Sequence, residues 1–250
     1  MVKPVRTADP PGVGPVAPAY RQVAEELRAQ VLSGALSPGE RLPNENDLSA
    51  RFGVGRSTVR EALRVLSSQN MVVTSRGVSG GSFVAHPDVG QVSEYLETSL
   101  GLLSICDEVG FEELMEAREL LEVPAARLAA IHCTNAQLQG LRTCVNEDAG
   151  AATDDSQFEV TVSFHQRMLV AAGNRLLAMM TGPIFGVLHR RYNQGGAPGG
   201  FWAEIADDHR RILEQVEARD ADGAAAEMHR HLQHMGRVHR QFERTARYDG

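Results

Sequence analysis

The chain has 250 residues, of which 42% are hydrophobic, 5% aromatic and 23% charged, with a formal net charge of −7. That much apolar material excludes a wholly disordered chain and is ample for one large domain or two modest ones. Few aromatics beside plentiful Ala, Val and Leu favour helices packed on helices over an aromatic-rich β fold, so the expected class is mainly α.

The charge is unevenly shared. Up to residue 87 there are ten Lys/Arg against seven Asp/Glu, about +3, which leaves about −10 for the remainder. An acidic total alone argues against a nucleic-acid partner; a local excess of base at the amino end reopens it. Cys106, Cys133 and Cys144 lie far apart without a CxxC spacing, so neither a disulfide framework nor a thiolate zinc site is indicated, and a reducing cytoplasm fits. The first residues lack the apolar core of a signal peptide, and no apolar run approaches the ~18 residues of a membrane span. Residues 1–17, rich in Pro, Gly and small side chains, are expected to form a mobile arm.

From Tyr20 the pattern turns helical, with Tyr20, Val23, Ala24, Leu27 and Val31 on one face and SGALSPG ending it. Asn44 offers an N-cap for a brief second helix that stops at Gly53, with Asp47 three positions on. A third helix follows in GRSTVREALRVL, where Thr58 and Glu61 suggest a capping box and Val59, Ala62, Leu63 and Leu66 form the buried stripe. Its arginines, Arg56, Arg60 and Arg64, face elsewhere. Two β-branched runs then bracket a loop with Gly77, Gly80 and Gly81, which predicts a hairpin. Three helices and a hairpin compose a winged helix-turn-helix over residues 18–86, in which the third helix enters the major groove and Arg56 and Arg60 meet base edges and phosphates. Ser57 and Thr58 either touch phosphates or cap the helix.

Residues 87–92 are the expected linker. Beyond it, residues 93–245 read as an antiparallel α-helical bundle, with spans near 91–105, 111–132, 135–149, 155–172, 174–191, 201–218 and 221–244. Polar residues interrupt its apolar stripes at a few positions. His165 lies among Phe158, Val162, Leu169 and Ala172; His209 among Trp202, Ile205, Ile212 and Val216; His231 among Ala224, Met228, Leu232 and Met235. Each histidine alone is an ordinary satisfied core residue. Three on three helices can share a divalent ion. The other six, His86, His132, His189, His229, His234 and His239, fall at or beyond the stripe edges and are expected to face solvent. Arg118 lies in the stripe of Leu114, Leu121 and Ala125, where its charge needs an anion: Glu122 one turn on, or the carboxylate of a ligand.

Residues 20–85, with PGERLP, RSTVREAL and a hairpin ending in FV, resemble the DNA-binding domain of GntR-family transcriptional regulators. That resemblance implies DNA contacts from Arg56, Ser57, Thr58 and Arg60, a minor-groove contact from the wing tip at Arg76 and Gly77, and a phosphate contact from Arg41. Many relatives place arginine where Asn46 stands, so the contact expected there is weakened. Residues 90–240, with AREL-LE, FHQRMLVAAGN and DDHRRILEQVEARDADGAAAEMHRHL, resemble the FCD effector domain of the FadR subfamily. Such domains bind a metal through an aspartate and three histidines; His165, His209 and His231 match the latter, and Thr161 occupies the aspartate position. Three readings stay open: zinc or nickel held by the histidines, a site filled only with an anionic effector, and a metal-free pocket bordered by Arg118 and Thr161.

The resemblance implies a homodimeric, cytoplasmic regulator, a repressor by expectation, that binds a near-palindromic DNA operator and a small anionic effector and has no membrane partner. Ala171, Ala172 and Gly173 leave room for an alternative, a metal-free acyl-coenzyme A sensor. A metal-dependent enzyme is a second alternative, although no GxSxG elbow, Walker loop or HExxH is present and no general base adjoins the histidines.

Overall fold

The computed structural model describes residues 17–77, 80–86, 88–148, 154–192 and 199–246. The arm expected over 1–17 therefore falls almost wholly outside the described residues, as does Pro87 of the expected linker. The chain divides into two compact units, Met1–Asp88 and Val89–Gly250.

In the first unit α1 (Ala19–Leu32), α2 (Glu45–Phe52) and α3 (Arg56–Ser68) precede a hairpin of β1 (Val72–Ser75) and β2 (Gly81–Val84). The antiparallel register pairs Val72 with Val84 and Ser75 with Gly81. Asn44 caps α2: its Oδ1 accepts from the Asn46 and Asp47 amides at 2.9 and 3.1 Å. Gly53 ends α2 at φ 64°, a left-handed conformation that glycine adopts without the clash of a Cβ. The capping box expected at Thr58 and Glu61 does not form. Gly55 is the N-cap of α3, without a side-chain hydrogen bond, and Glu61 instead pairs with Arg64 at 3.3 Å. Leu27, Leu48, Val59, Ala62, Leu66 and Val72 are almost fully buried and fix α1, α2 and the hairpin against α3. Each large aliphatic among them contributes roughly 1.5–3 kcal/mol by leaving water.

The second unit contains, among the described residues, α4 (Val89–Ile105), α5 (Phe111–His132), α6 (Asn135–Asp148), α7 (Asp154–Ala171), α8 (Arg175–Tyr192), α9 (Phe201–Glu217) and α10 (Ala221–Ala246). These spans fall within two residues of those read from periodicity, and α4 starts at Val89, inside the stretch expected as linker. α5 is central, packing on α7, α8, α9 and α10, while α9 also packs on α6 and α10. Its stripe lies against Phe164, Met168, Ile212, Val216, Met228 and Leu232, and this core surrounds the polar residues described next.

Candidate functional site

The exposed face of α3 carries Arg56, Ser57 and Arg60, opposite the buried stripe of Val59, Ala62, Leu63 and Leu66. No side chain caps its first turn, which leaves N–H groups there for a phosphate. Neighbouring side chains orient the arginines. Arg56 Nη1 donates to Asn46 Oδ1 at 3.5 Å, so Asn46 stands beside the recognition helix although it carries no charge of its own. Arg60 meets the Glu45 carboxylate with two nitrogens, Nε to Oε1 at 3.2 Å and Nη2 to Oε2 at 2.8 Å. Arg76 and Gly77 are exposed at the hairpin end. Arg41 braces the wing: Nη2 donates to the Gly80 carbonyl at 2.6 Å, its guanidinium lies 6.0 Å from the Phe83 ring centre, and its backbone bridges Phe83.

The bundle brings His165 of α7, His209 of α9 and His231 of α10 together, with one ring nitrogen of each within 4.8 Å of the others. All three are at most 1% exposed. Phe164 stacks on His209 at 4.1 Å between ring centres, and Phe185 lies 5.7 Å from His165, so the walls are apolar. Two carboxylates orient two of the imidazoles. His165 Nδ1 lies 2.5 Å from Glu122 Oε2, a charge contact without hydrogen-bond alignment, and His231 Nδ1 donates to Asp208 Oδ2 at 3.2 Å. Both Nε2 atoms point inward, 3.1 Å apart, and with the proton of each ring on the Nδ1 that faces a carboxylate they present lone pairs to each other. Arg118 Nη2 lies 3.3 Å from His165 Nε2 and donates to it.

Burial shapes the protonation of this cluster. Desolvation lowers the His165 pKa to about 4, against the raising effect of Glu122, and sends His231 well below its ordinary value. Burial would raise the Glu122 carboxyl, but Arg118 and His165 hold it at about 2; desolvation of Asp208 is likewise outweighed by hydrogen bonds from His231 and His234, leaving it at about 2. Near neutral pH the carboxylates are charged and His165 and His231 are neutral. The Nε2 lone pairs of His165 and His231 then face each other with only the Arg118 Nη2 donor beside His165, and a divalent cation removes the repulsion between them. Carboxylate–imidazole–metal geometry of this kind is the usual second shell of a metal site. Thr161, 2% exposed and one turn before His165, has a buried hydroxyl with no hydrogen-bond partner. Three imidazole donors and this hydroxyl fit a first-row ion such as zinc or nickel.

Arg118 is engaged on every nitrogen. Nε donates to Glu122 Oε1 at 2.5 Å, Nη1 to Met235 Sδ at 3.7 Å, and Nη2 to His165 and, at 3.5 Å, to Glu122 Oε2. Of the six histidines expected at the surface, His86, His132 and His229 are exposed. The others correct that reading: His189 is half-buried against Phe158, His239 stacks on Phe111, and His234 is 20% exposed and donates from Nδ1 to Asp208 at 2.9 Å. Asp208 escaped sequence reading because it neighbours His209 in the chain yet turns toward α10; the DDH triplet at 207–209 was the available signal. Glu122 was legible as a partner of Arg118 and not as the carboxylate that lies against His165.

A winged helix-turn-helix followed by a helical unit with a buried polar centre defines a DNA-binding regulator with a separate ligand domain. Residues 19–84 match the family of bacterial regulatory proteins, gntR family, and residues 113–234 match the FCD domain. The chain belongs to the GntR family and carries an FCD effector-binding domain; it is a transcriptional regulator, not an enzyme. It is 27% identical over 230 residues to the Uxu operon regulator of Haemophilus influenzae, covering 86% of this chain and 80% of that protein. It is 28% identical over 222 residues to the HTH-type transcriptional repressor NanR of Cronobacter sakazakii, covering 84% and 81%. The Streptococcus agalactiae GntR structure shares the fold, with a TM-score of 0.56 and 24% identity over 87% of this chain and 99% of that one.

Proposed function

We propose that the chain is a homodimeric repressor that grips a near-palindromic operator and releases it when a small organic anion enters the FCD domain beside a divalent ion on His165, His209 and His231. The observation that carries this reading is the pair of inward Nε2 atoms 3.1 Å apart, each on an imidazole whose Nδ1 faces a carboxylate. The bound ion would supply Lewis acidity and charge. Glu122 is balanced by Arg118, and Asp208 by Arg211, so an ion on three neutral imidazoles brings two uncompensated positive charges into an apolar wall. An anionic ligand balances them. Thr161 offers it a hydroxyl, and Arg118 acts on it as a fixed positive charge beside His165.

DNA contacts are assigned to Arg56, Ser57, Thr58 and Arg60, with Arg76 and Gly77 at the wing and Arg41 and Asn46 in support. Two-fold symmetry of a dimer matches a two-fold operator, and the repressor sign follows the name borne by one relative. The acyl-coenzyme A reading draws no support from Ala171 and Ala172, both 1% exposed in the packed core. The test is the metal content of untagged protein dialysed against zinc and then washed. One ion per chain is expected in the wild type and none in a His165→Ala/His231→Ala double variant. An ion-free wild type, or equal content in both, overturns the metal site.

A further inference from the structure

Glu45, a carboxylate beside the arginines of the DNA-binding face, has no part in the function proposed for the site. Glu45 stands at the first position of α2, and its carboxylate reaches the side of the Arg60 guanidinium through Nε and Nη2, at 3.2 and 2.8 Å. Both side chains are open to solvent, Arg60 at 65% and Glu45 at 38%. A carboxylate at a surface that must approach phosphates costs binding energy, so its presence calls for a compensating role.

We propose that Glu45 is a specificity-determining residue that commits Arg60 to a base edge and away from the phosphate backbone; this rests on the assignment of Arg60 to DNA contact made above. The geometry supplies the mechanism. A guanidinium carries five N–H donors, and the carboxylate takes those of Nε and of one side of Nη2. What remains open is the far edge, the parallel pair of N–H groups on Nη1 and Nη2 that matches O6 and N7 of guanine. The same pairing makes Glu45 and Arg60 together neutral. A neutral pair attracts a phosphate weakly, while a guanine edge, itself uncharged, loses little. Two ion-pair contacts also restrict the arginine's rotamers before DNA arrives, which lowers the entropy lost on docking. The hydrogen bond from Arg60 holds the Glu45 carboxyl below its ordinary pKa, so the lock is closed near neutral pH. Arg56, one turn earlier, hydrogen-bonds an uncharged neighbour, Asn46, and meets the Glu45 charge through space alone, the weakest of the influences on that carboxyl, so it keeps more of its charge for the backbone.

The experiment uses the full chain. A preferred duplex is selected from a random pool with the wild type. Dissociation constants are then measured by fluorescence anisotropy for that duplex, for its single-base-pair variants and for random duplex, across a salt series, with the wild type, Glu45→Gln, Glu45→Ala and Arg60→Ala; melting curves report folding. Arg60→Ala identifies the base pair that Arg60 reads. At that pair, both Glu45 variants are expected to lose roughly tenfold in discrimination. They are also expected to bind random duplex several-fold more tightly, with the slope of log K against log salt steeper by about one. Specific and random affinities falling together would show a structural role and overturn the proposal. Discrimination unchanged at every base pair would also overturn it. Failure of the DNA assignment itself looks different, because the wild type would then select no duplex or Arg60→Ala would leave its preference intact.

Discussion

Glu122→Leu removes one half of an ion pair whose members are 2% and 1% exposed. It leaves the Arg118 guanidinium in an apolar interior without a counter-charge, a loss of roughly 3–5 kcal/mol. His165 Nδ1 loses its carboxylate neighbour as well, but the two losses share one group and do not simply add. For a unit of this size each kcal/mol moves the midpoint by about 2–4 °C, so the helical transition should fall by about 10 °C. A partner variant separates lost charge balance from lost packing. Arg118→Met/Glu122→Leu fills a similar volume with no charge, and should recover to within about 1–2 kcal/mol of the wild type. The assay is thermal unfolding followed by circular dichroism at pH 7 with chelator present. A drop below about 3 °C for Glu122→Leu, or a double variant no more stable than the single one, would refute the buried-pair argument.

Acid should weaken the metal-free helical unit in two stages. His165 and His231 have folded pKa values below those of the unfolded chain, so the unfolded chain binds protons first. Stability is therefore full above about pH 6.5 and declines toward about pH 4; Glu122 and Asp208, both near 2, add a further loss below about pH 4.5. A midpoint at pH 5 equal to that at pH 7 would contradict this. Thr161→Asp should place a carboxylate beside the imidazoles, raising zinc affinity by at least about tenfold while destabilising the chelated protein, since a buried charge then lacks a counter-ion. Isothermal titration and melting curves with and without zinc check both signs. Arg56→Ala should weaken selected and random duplexes alike and flatten the salt slope by about one, whereas Arg60→Ala should chiefly erase base discrimination.

The helices of both units were legible because their apolar periods are long and glycines punctuate them. The three inward histidines were legible for the same reason, each standing within a stripe of aliphatic residues. Side-chain partners across helices were not. Asp208 and His234 sit 26 positions apart, and only the approach of α10 to α9 buries them together. The pairing of Arg60 with Glu45 depends on the angle between α2 and α3, which the short connection at Gly53 sets and periodicity does not encode. Arg41 reads as a free cation in the sequence; its guanidinium meets the wing carbonyl of Gly80, about 40 residues on, only once the hairpin is folded.

The claim at the centre of this account is that occupancy of the buried histidine site and grip on the operator are one equilibrium. Operator affinity should be measured for wild type and His231→Ala, with zinc present, against a panel of two- to six-carbon carboxylates. The account predicts at least one carboxylate that weakens wild-type binding by about fivefold or more, leaves His231→Ala unmoved, and itself binds less tightly by the same factor when operator is present. A panel without effect on the wild type, or an effect that persists in His231→Ala, would contradict it.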